Sequence, residues 1–454
     1  MSTNAASSSR AAARAPLADP WRLAAAAAAV GLAGLVYVLQ GIVSPRVQGL
    51  MGTACFLAVV CAASSNLRRV NWRTVGWGLG LQVGLALFIL KFEVGGVRPG
   101  YALFSAIATV IRRFLDFSLA GATFVFGPLA DAGAMGKVFP NGFVFAFTAL
   151  PTIIFVSSFF TVLYYFGVLQ FVVKLMARSM MLLMRTSGAE TLSAAANVFM
   201  GQTEAPLIVK PYVPTMTQSE LLAMMTGGFA TISGGVMAVY IGLGADPIAI
   251  LTTSVMAAPC GLYLAKILVP ETEEPATRGE VRLQVERAHV NAIDAAAAGA
   301  TDGMTLAINV AAMLIAFLAI IALVDAVLAL VHPALTLARV LSVVFAPLAV
   351  LMGVPPADVP AVADLLGTKL VANEFVSYVK LTTEYRHIDP RSYTLATYAL
   401  TGFANFGSVG IQLGGIGGMA PGRRHDLARL GARALFAGFL ATLINASIAA
   451  TLIG

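Results

Sequence analysis

Charged positions along this chain fall in clusters, and long stretches between them carry none. Residues 23–43, 75–90, 143–173, 304–324, 392–422 and 434–454 contain no Asp, Glu, Lys or Arg. A bilayer-spanning helix needs about 20 predominantly apolar residues, so most of these runs are long enough to cross, and 75–90 becomes so when extended. A further span is expected at residues 47–63. The runs 143–173 and 392–422 hold 31 residues each, too many for one simple span, and each predicts a tilted helix, an extra turn or a break. Strands of a membrane barrel alternate apolar with polar residues. These runs do not, which leaves a helical bundle as the structure that satisfies its backbone in lipid.

Two stretches depart from this pattern. Residues 101–117 place Leu103, Phe104, Ile107, Val110, Ile111, Phe114 and Leu115 at helical spacing, with Arg112, Arg113 and Asp116 between them. That pattern predicts an amphipathic helix along the interface. Residues 270–302 are the only long polar stretch. They begin with Glu271, Glu273 and Glu274, pass Arg278, Arg282 and Arg287, end in an Ala-rich run, and are expected to form an extramembrane connector with some helix.

An internal repeat locates the candidate chemistry. Thr226-Gly-Gly-Phe-Ala-Thr-Ile-Ser-Gly-Gly-Val236 resembles Thr401-Gly-Phe-Ala-Asn-Phe-Gly-Ser-Val-Gly-Ile411, pairing Phe229 with Phe403 and Thr231 with Asn405. Upstream of each copy an acid stands in apolar surroundings. Glu204 has Asn197, Gln202 and Thr203 nearby, and Glu374 has Asn373. Each half therefore reads as a hairpin with an acid followed by a Gly-interrupted helix. Paired interruptions of this kind point to a transporter's binding site, because a broken helix exposes backbone groups that lipid cannot satisfy and a polar solute or ion can. An intramembrane carboxylate costs about 2.5–3.5 kcal/mol even on lenient scales and marks a pathway or relay. The plainer alternative is that the acids pair with Lys210, Lys369 or Lys380.

Composition agrees. Of 454 residues, 58% are hydrophobic and 11% charged, against roughly 25% charged in soluble domains. The net charge of +7 comes with no basic, aromatic-interleaved stretch, so no nucleic-acid partner is expected. Arg10, Arg14 and Arg22 precede the first span, and Arg68, Arg69 and Arg73 follow the second. The positive-inside bias then places the N-terminus in the cytoplasm. Trp21, Trp72 and Trp77 sit near span ends, where indoles settle at the headgroups. Cys55, Cys61 and Cys260 lack metal-ligand spacing and read as packing residues. His289, His332, His387 and His425 are scattered at segment ends. The apolar stretch after Arg22 is longer than a usual signal-peptide core, so cleavage is not expected.

The chain divides accordingly. Residues 1–20 are read as a disordered cytoplasmic tail, 21–100 as N-terminal scaffold helices, and 101–185 as an interfacial helix and a transmembrane helix. The first hairpin and broken helix take 186–270, the polar connector 271–302, a scaffold helix region 303–352, and the second hairpin, broken helix and last transmembrane helix 353–454.

Several motifs resemble one family. Asn197-Val-Phe-Met-Gly-Gln-Thr-Glu-Ala-Pro-Leu207, Met216-Thr-Gln-Ser-Glu-Leu221, Met225-Thr-Gly-Gly-Phe-Ala-Thr-Ile-Ser-Gly234, Asn373-Glu-Phe375, Gly402-Phe-Ala-Asn-Phe-Gly-Ser408 and Gly414-Gly-Ile-Gly-Gly-Met-Ala-Pro421 look like the concentrative nucleoside transporters. The resemblance runs in order from about residue 63 to the C-terminus. It implies an all-α polytopic membrane protein of inverted repeats, with two re-entrant helical hairpins, two unwound transmembrane helices and scaffold helices. It also implies a homotrimer in the inner membrane, importing nucleosides such as uridine. Carried over by position, Gly201, Gln202, Thr203, Glu204 and Val236 would face the nucleobase, and Glu374, Phe403, Asn405 and Ser408 the ribose. A coupling sodium would take side-chain oxygens from Asn197 and Thr231 and backbone carbonyls from Met200 and Ile232. Proton-coupled relatives lack this asparagine–hydroxyl pair, so sodium is favoured and no other cofactor is implied. The extra span 23–43 departs from the simplest bacterial pattern. The competing expectations are proton coupling through Glu204 or Glu374, an intramembrane enzyme using those two acids, and a receptor that binds without flux.

Overall fold

Helices start where a Ser, Thr, Asn or Asp side chain can take up free backbone N–H groups, and they run until a glycine, a proline or a polar turn ends them. The computed structural model describes residues 19–137, 144–279 and 289–453. Most of the expected N-terminal tail lies outside the described residues, as do Arg282 and Arg287. In chain order the helices are α1 (Pro20–Val38), α2 (Pro45–Ala63), α3 (Trp72–Leu90), α4 (Pro99–Phe126), the single turn α5 (Ala132–Met135), α6 (Phe145–Tyr165), α7 (Val168–Met184), α8 (Gly188–Ala196), the short α9 (Glu204–Ile208), α10 (Gln218–Ala230), α11 (Gly234–Leu243), α12 (Pro247–Leu268), α13 (Ala292–Val331), α14 (Leu337–Leu351), α15 (Val359–Val371), α16 (Glu374–Thr383), α17 (Pro390–Leu400), α18 (Phe406–Met419) and α19 (Arg424–Leu452). Among the described residues there is no named strand, only an isolated bridge between Val94 and Val97. Eight helical stretches there are long and apolar enough to cross a membrane.

Both over-long uncharged runs are broken. The first parts into α6 and α7 at Phe166 and Gly167, with Gly167 at φ 78° in the left-handed region. The second parts into α17 and α18 across residues 401–405.

Two elements are longer than their sequence pattern indicated. Helix α4 continues past residue 117 to Phe126, where Gly127 at φ 60° and Pro128 end it. Phe114 of α4 lies against Phe155 and Phe159 of α6, with ring centroids 4.6 and 4.4 Å away. Helix α13 begins at Ala292, so the Ala-rich end of the polar stretch belongs to one helix of 40 residues. At 1.5 Å rise per residue it is about 60 Å long, which requires a steep tilt or a projection beyond the bilayer. Asn291 caps it by accepting from Asp294 N at 2.9 Å. It packs along α6, where Gly299 and Gly303 let the backbones approach at Ser158 and Ile154.

Helices α10, α12, α17 and α19 form the buried centre, whereas α13 and α14 keep largely exposed apolar faces. A polar network ties the centre to α3. Gln82 Nε2 donates to Asn445 Oδ1 at 2.6 Å, Tyr263 OH donates to Gln82 Oε1 at 2.8 Å, and Asn445 Nδ2 donates to Thr253 Oγ1 at 3.1 Å.

The foot of the first hairpin is tied by charge. Ser187 and Glu190 form a capping box on α8, and Thr217 and Glu220 form another on α10. Ser187 Oγ donates to Glu220 Oε1 at 2.5 Å, joining the two boxes. Lys266 of α12, 5% exposed, lies 2.6 Å from Glu190 and 3.1 Å from Glu271 and donates to Ser219 Oγ at 3.0 Å.

Candidate functional site

The first hairpin consists of α8, a turn through residues 197–203, and α9 with the turns that follow. The second is α15 and α16, joined at Ala372 and Asn373. Each is followed by a broken helix: α10 and α11 around residues 231–233, and α17 and α18 around residues 401–405.

The breaks touch. Phe403 N donates to Thr231 O at 3.1 Å, so backbone from one half completes backbone of the other. Gly402 makes this possible. Its φ is 151°, and a Cβ there would stand 2.8 Å from Phe229 O and 2.7 Å from Thr442 Cγ2.

The structural register of the repeat differs from the sequence match. Phe229 and Ala230 are the last residues of α10, whereas Phe403 and Ala404 lie inside the second break, because Gly402 opens that helix after Leu400. By geometry Thr231 corresponds to Thr401. Their hydroxyls donate back along their helices, to Gly227 O at 2.8 Å and Thr397 O at 2.7 Å. Asn405 corresponds instead to Ser233. Each is an N-cap, accepting from Ser408 N at 2.8 Å and Val236 N at 3.4 Å respectively.

Helices α11, α16 and α18 begin at the breaks and hairpin tips, with Ser233, Asn373 and Asn405 as N-caps. Helix starts carry partial positive charge and favour acceptors. Glu374 is the first residue of α16 and is 5% exposed. Its Oε2 accepts from Asn405 Nδ2 at 2.9 Å and its Oε1 from Tyr240 OH at 3.1 Å. Tyr240 stacks on Tyr378 with centroids 4.1 Å apart.

The first hairpin's tip joins the same network. Gln202 Nε2 donates to Ser408 Oγ at 3.1 Å. Gln412 Nε2 donates to Gln202 Oε1 at 3.2 Å and to Met225 O at 3.1 Å. Glu204 is exposed and its Oε2 accepts from Gly201 N at 2.7 Å, which fixes the turn. Thr203 is half-buried against Gly415 of α18, Val236 is buried in the first turns of α11, and Phe403 is half-buried in the break. The structure therefore brings Gln202, Glu374, Asn405 and Ser408 into one chain of hydrogen bonds, with Tyr240 and Gln412 as members that the sequence reading omitted. Their signal was spacing. Tyr240 lies one helical turn beyond Val236 and Gln412 one turn beyond Ser408, on the same helix faces. Asn373, adjacent to Glu374 in sequence, is the cap that holds that acid at the helix start, accepting from Val376 N at 2.9 Å.

The acids are not held by direct lysine ion pairs, although Lys369 acts on Glu374 electrostatically from farther away. Lys369 donates to Ala399 O and Thr442 Oγ1, and Lys380 pairs with Asp364. Among the described residues neither Glu204 nor Glu374 forms an ion pair.

The other converging ends are C-termini. Asn197 follows α8 and Thr231 follows α10. Asn197 is wholly buried, and its Nδ2 donates to Ser193 O at 3.0 Å. Its Oδ1 has no hydrogen-bond partner, and neither do the buried hydroxyls of Ser193 and Thr226. Ile232 is buried and Met200 half-buried. An unpaired amide oxygen is costly when buried. Here it stands between two helix C-termini that attract positive charge, so neutral amide, hydroxyl and carbonyl oxygens offer the donor set of a hard monovalent cation.

Comparison with known proteins gives the family of the chain and relatives of its fold. Family models described as Na+ dependent nucleoside transporter N-terminus, Nucleoside recognition, and Na+ dependent nucleoside transporter C-terminus match residues 51–129, 146–247 and 249–450. The chain is 42% identical over 458 residues to mouse Sodium/nucleoside cotransporter 1, covering 95% of this chain and 68% of that one. It is 41% identical to a transporter of Haemophilus influenzae, covering 90% and 98%. Among solved structures, CNTnw in an inward-facing substrate-bound state superposes with a TM-score of 0.83 at 39% identity, covering 90% and 98%. A variant of CNTnw in an intermediate state gives 0.85 at 39% identity, covering 90% and 100%.

Proposed function

This chain belongs to the Na+-dependent nucleoside transporter family, and from that premise we propose that it imports nucleosides as a sodium symporter, with base and ribose held by different halves of one site. It is a transporter, not an enzyme, and its helices cross the membrane many times. The observation that carries the reading is the hydrogen-bonded chain from Tyr240 through Glu374, Asn405, Ser408 and Gln202 to Gln412 across both helix breaks.

Each atom in that chain has a use. Both Glu374 oxygens already accept one donor and keep lone pairs for two ribose hydroxyls. Asn405 and Tyr240 orient the carboxylate, while Phe403 and Ser408 border it. Gly201, Gln202, Thr203, Glu204 and Val236 take the nucleobase, whose ring nitrogens and carbonyls suit an amide that both donates and accepts. A site organised around such bonds rejects an analogue lacking the hydroxyl, since its own buried groups are then left unpaired. Sodium as cargo is held by Asn197 Oδ1, Thr231 Oγ1 and the carbonyls of Met200 and Ile232, which joins the first hairpin to the first break. Because Thr231 O also accepts from Phe403 N, cation and ribose sites share a backbone link, which supports ordered binding before the hairpins move. One sodium entering down about 100 mV supplies ~2.3 kcal/mol, enough for about fortyfold accumulation.

The same reading includes the inner membrane, a cytoplasmic N-terminus supported by the arginine bias, α4 along the interface, lipid against the exposed faces of α13 and α14, and a homotrimer. The test is uridine uptake into proteoliposomes under an inward sodium gradient. Wild type is expected to accumulate unchanged uridine only when sodium is present. Uptake that follows a pH gradient and ignores sodium would replace the cation assignment with proton coupling.

A further inference from the structure

The last carbonyls of a helix lack intrahelical donors and carry partial negative charge. Such ends meet at the breaks: α8 and α10 in the first half, α15 and α17 in the second. With Thr231 corresponding to Thr401, Phe229 O corresponds to Ala399 O and the end of α8 to the end of α15.

The halves compensate these ends differently. Beside the ends of α8 and α10 stands Asn197 Oδ1 without a donor. Beside the ends of α15 and α17 stands Lys369, 0% exposed. Its Nζ donates to Ala399 O at 2.7 Å and to Thr442 Oγ1 at 3.0 Å, and lies 5.5 Å from the centroid of the Phe439 ring. Tyr378 OH fills the adjoining space, 2.7 Å from Thr401 Oγ1 and donating to Thr397 O at 3.0 Å. Among the described residues Lys369 has no Asp or Glu within ion-pair distance. Glu374 acts on it electrostatically from beyond that distance, but a buried ammonium without a carboxylate in contact is expensive to maintain, and simple packing at this depth would be served by methionine or leucine. What surrounds this ammonium is what a bound cation would be given: a helix-end carbonyl, a hydroxyl oxygen and a π face.

We propose that the Lys369 ammonium is a tethered counterpart of the transported sodium, standing in the second half where the first half binds a free ion, so that one sodium per nucleoside completes the pair. The inference rests on the sodium-symport reading above and adds a positioning residue and a stoichiometry to it. Lys369 holds the ends of α15 and α17 together, and through them Glu374 and the second break.

The test measures labelled sodium and labelled uridine entering the same proteoliposomes, with the melting profile of each purified variant as the folding control. Wild type is expected to give a sodium-to-uridine ratio of about one, and a ratio of two overturns the proposal. Lys369→Met keeps the length and removes the charge. It is expected to lower uptake about tenfold or more, and wild-type uptake in this variant overturns the proposal. Lys369→Ala opens the space, and methylammonium at millimolar concentration is expected to restore uptake severalfold. No recovery in a Lys369→Ala protein that melts like wild type overturns it as well. Absence of sodium-driven uptake in wild type would remove the symport reading itself, whereas sodium-driven uptake unaffected by Lys369→Met removes only this inference.

Discussion

In the first half the break at residues 231–233 is bordered by oxygens without donors, Asn197 Oδ1, Ser193 Oγ and Thr226 Oγ1. In the second half Tyr398 OH and Gln412 Oε1 also lack a partner, but the groups at the break itself, residues 401–405, are paired: Glu374 with Asn405 and Tyr240, Thr401 with Tyr378, and Lys369 with Ala399 O. The order of elements is the same, but an unpaired amide oxygen stands beside the first break while the second is closed by its own side chains; in the symport reading proposed above, the first is where the cation sits. Twofold topology therefore does not require twofold chemistry. A duplicated scaffold can assign one copy to a free ion and the other to the sugar.

The largest expected effect comes from the closed half. Glu374→Gln replaces an acceptor oxygen with a donor in a buried network and is expected to lower sodium-driven uridine uptake by about a hundredfold or more, read as initial rates in proteoliposomes. Next is Gly402→Ala, which puts a Cβ on backbone at φ 151° and against Phe229 O. A loss of about 2–4 kcal/mol is expected, seen as a lower melting temperature together with lost uptake. Unchanged melting would mean that the breaks need not touch.

Asn197→Ala probes the open half. It should raise the sodium concentration for half-maximal uptake about tenfold while leaving uridine uptake at saturating sodium within reach of wild type. An equal loss at all sodium concentrations would erase the contrast between the halves. Gln412→Leu frees Gln202 from one of its partners and should weaken uridine about fivefold, measured as KM. Tyr240→Phe removes one of the two donors on Glu374 and should cost about threefold, because Asn405 still orients the carboxylate.

Much of this was legible from residue order. Uncharged runs longer than a span announced breaks that occur at Gly167 and at residues 401–405, and carboxylates isolated in apolar surroundings announced Glu374. What misled was register. The Gly-Phe-Ala repeat aligns by letters, yet Gly402 opens its helix early whereas Gly228 stays helical, because the second copy must clear Phe229 O. No local pattern encodes that contact between distant segments. Tyr240 and Gln412 escaped for a related reason. Each belongs to the site through a partner far along the chain, Glu374 and Gln202 respectively. The length of α13 was hidden by composition, since an Ala-rich run beside a charged one reads as solvent-facing chain until its helical continuity is seen.

The knot of Glu190, Glu220, Glu271 and Lys266 at the foot of the first hairpin has a mechanical consequence. With α8, α10 and α12 pinned at one end, the hairpin has no freedom to swing out as a separate flap. Either its tip at residues 197–203 bends alone, or the three helices travel as one raft with the cargo aboard. Access would then change by moving the floor beneath the passenger rather than by opening a door beside it.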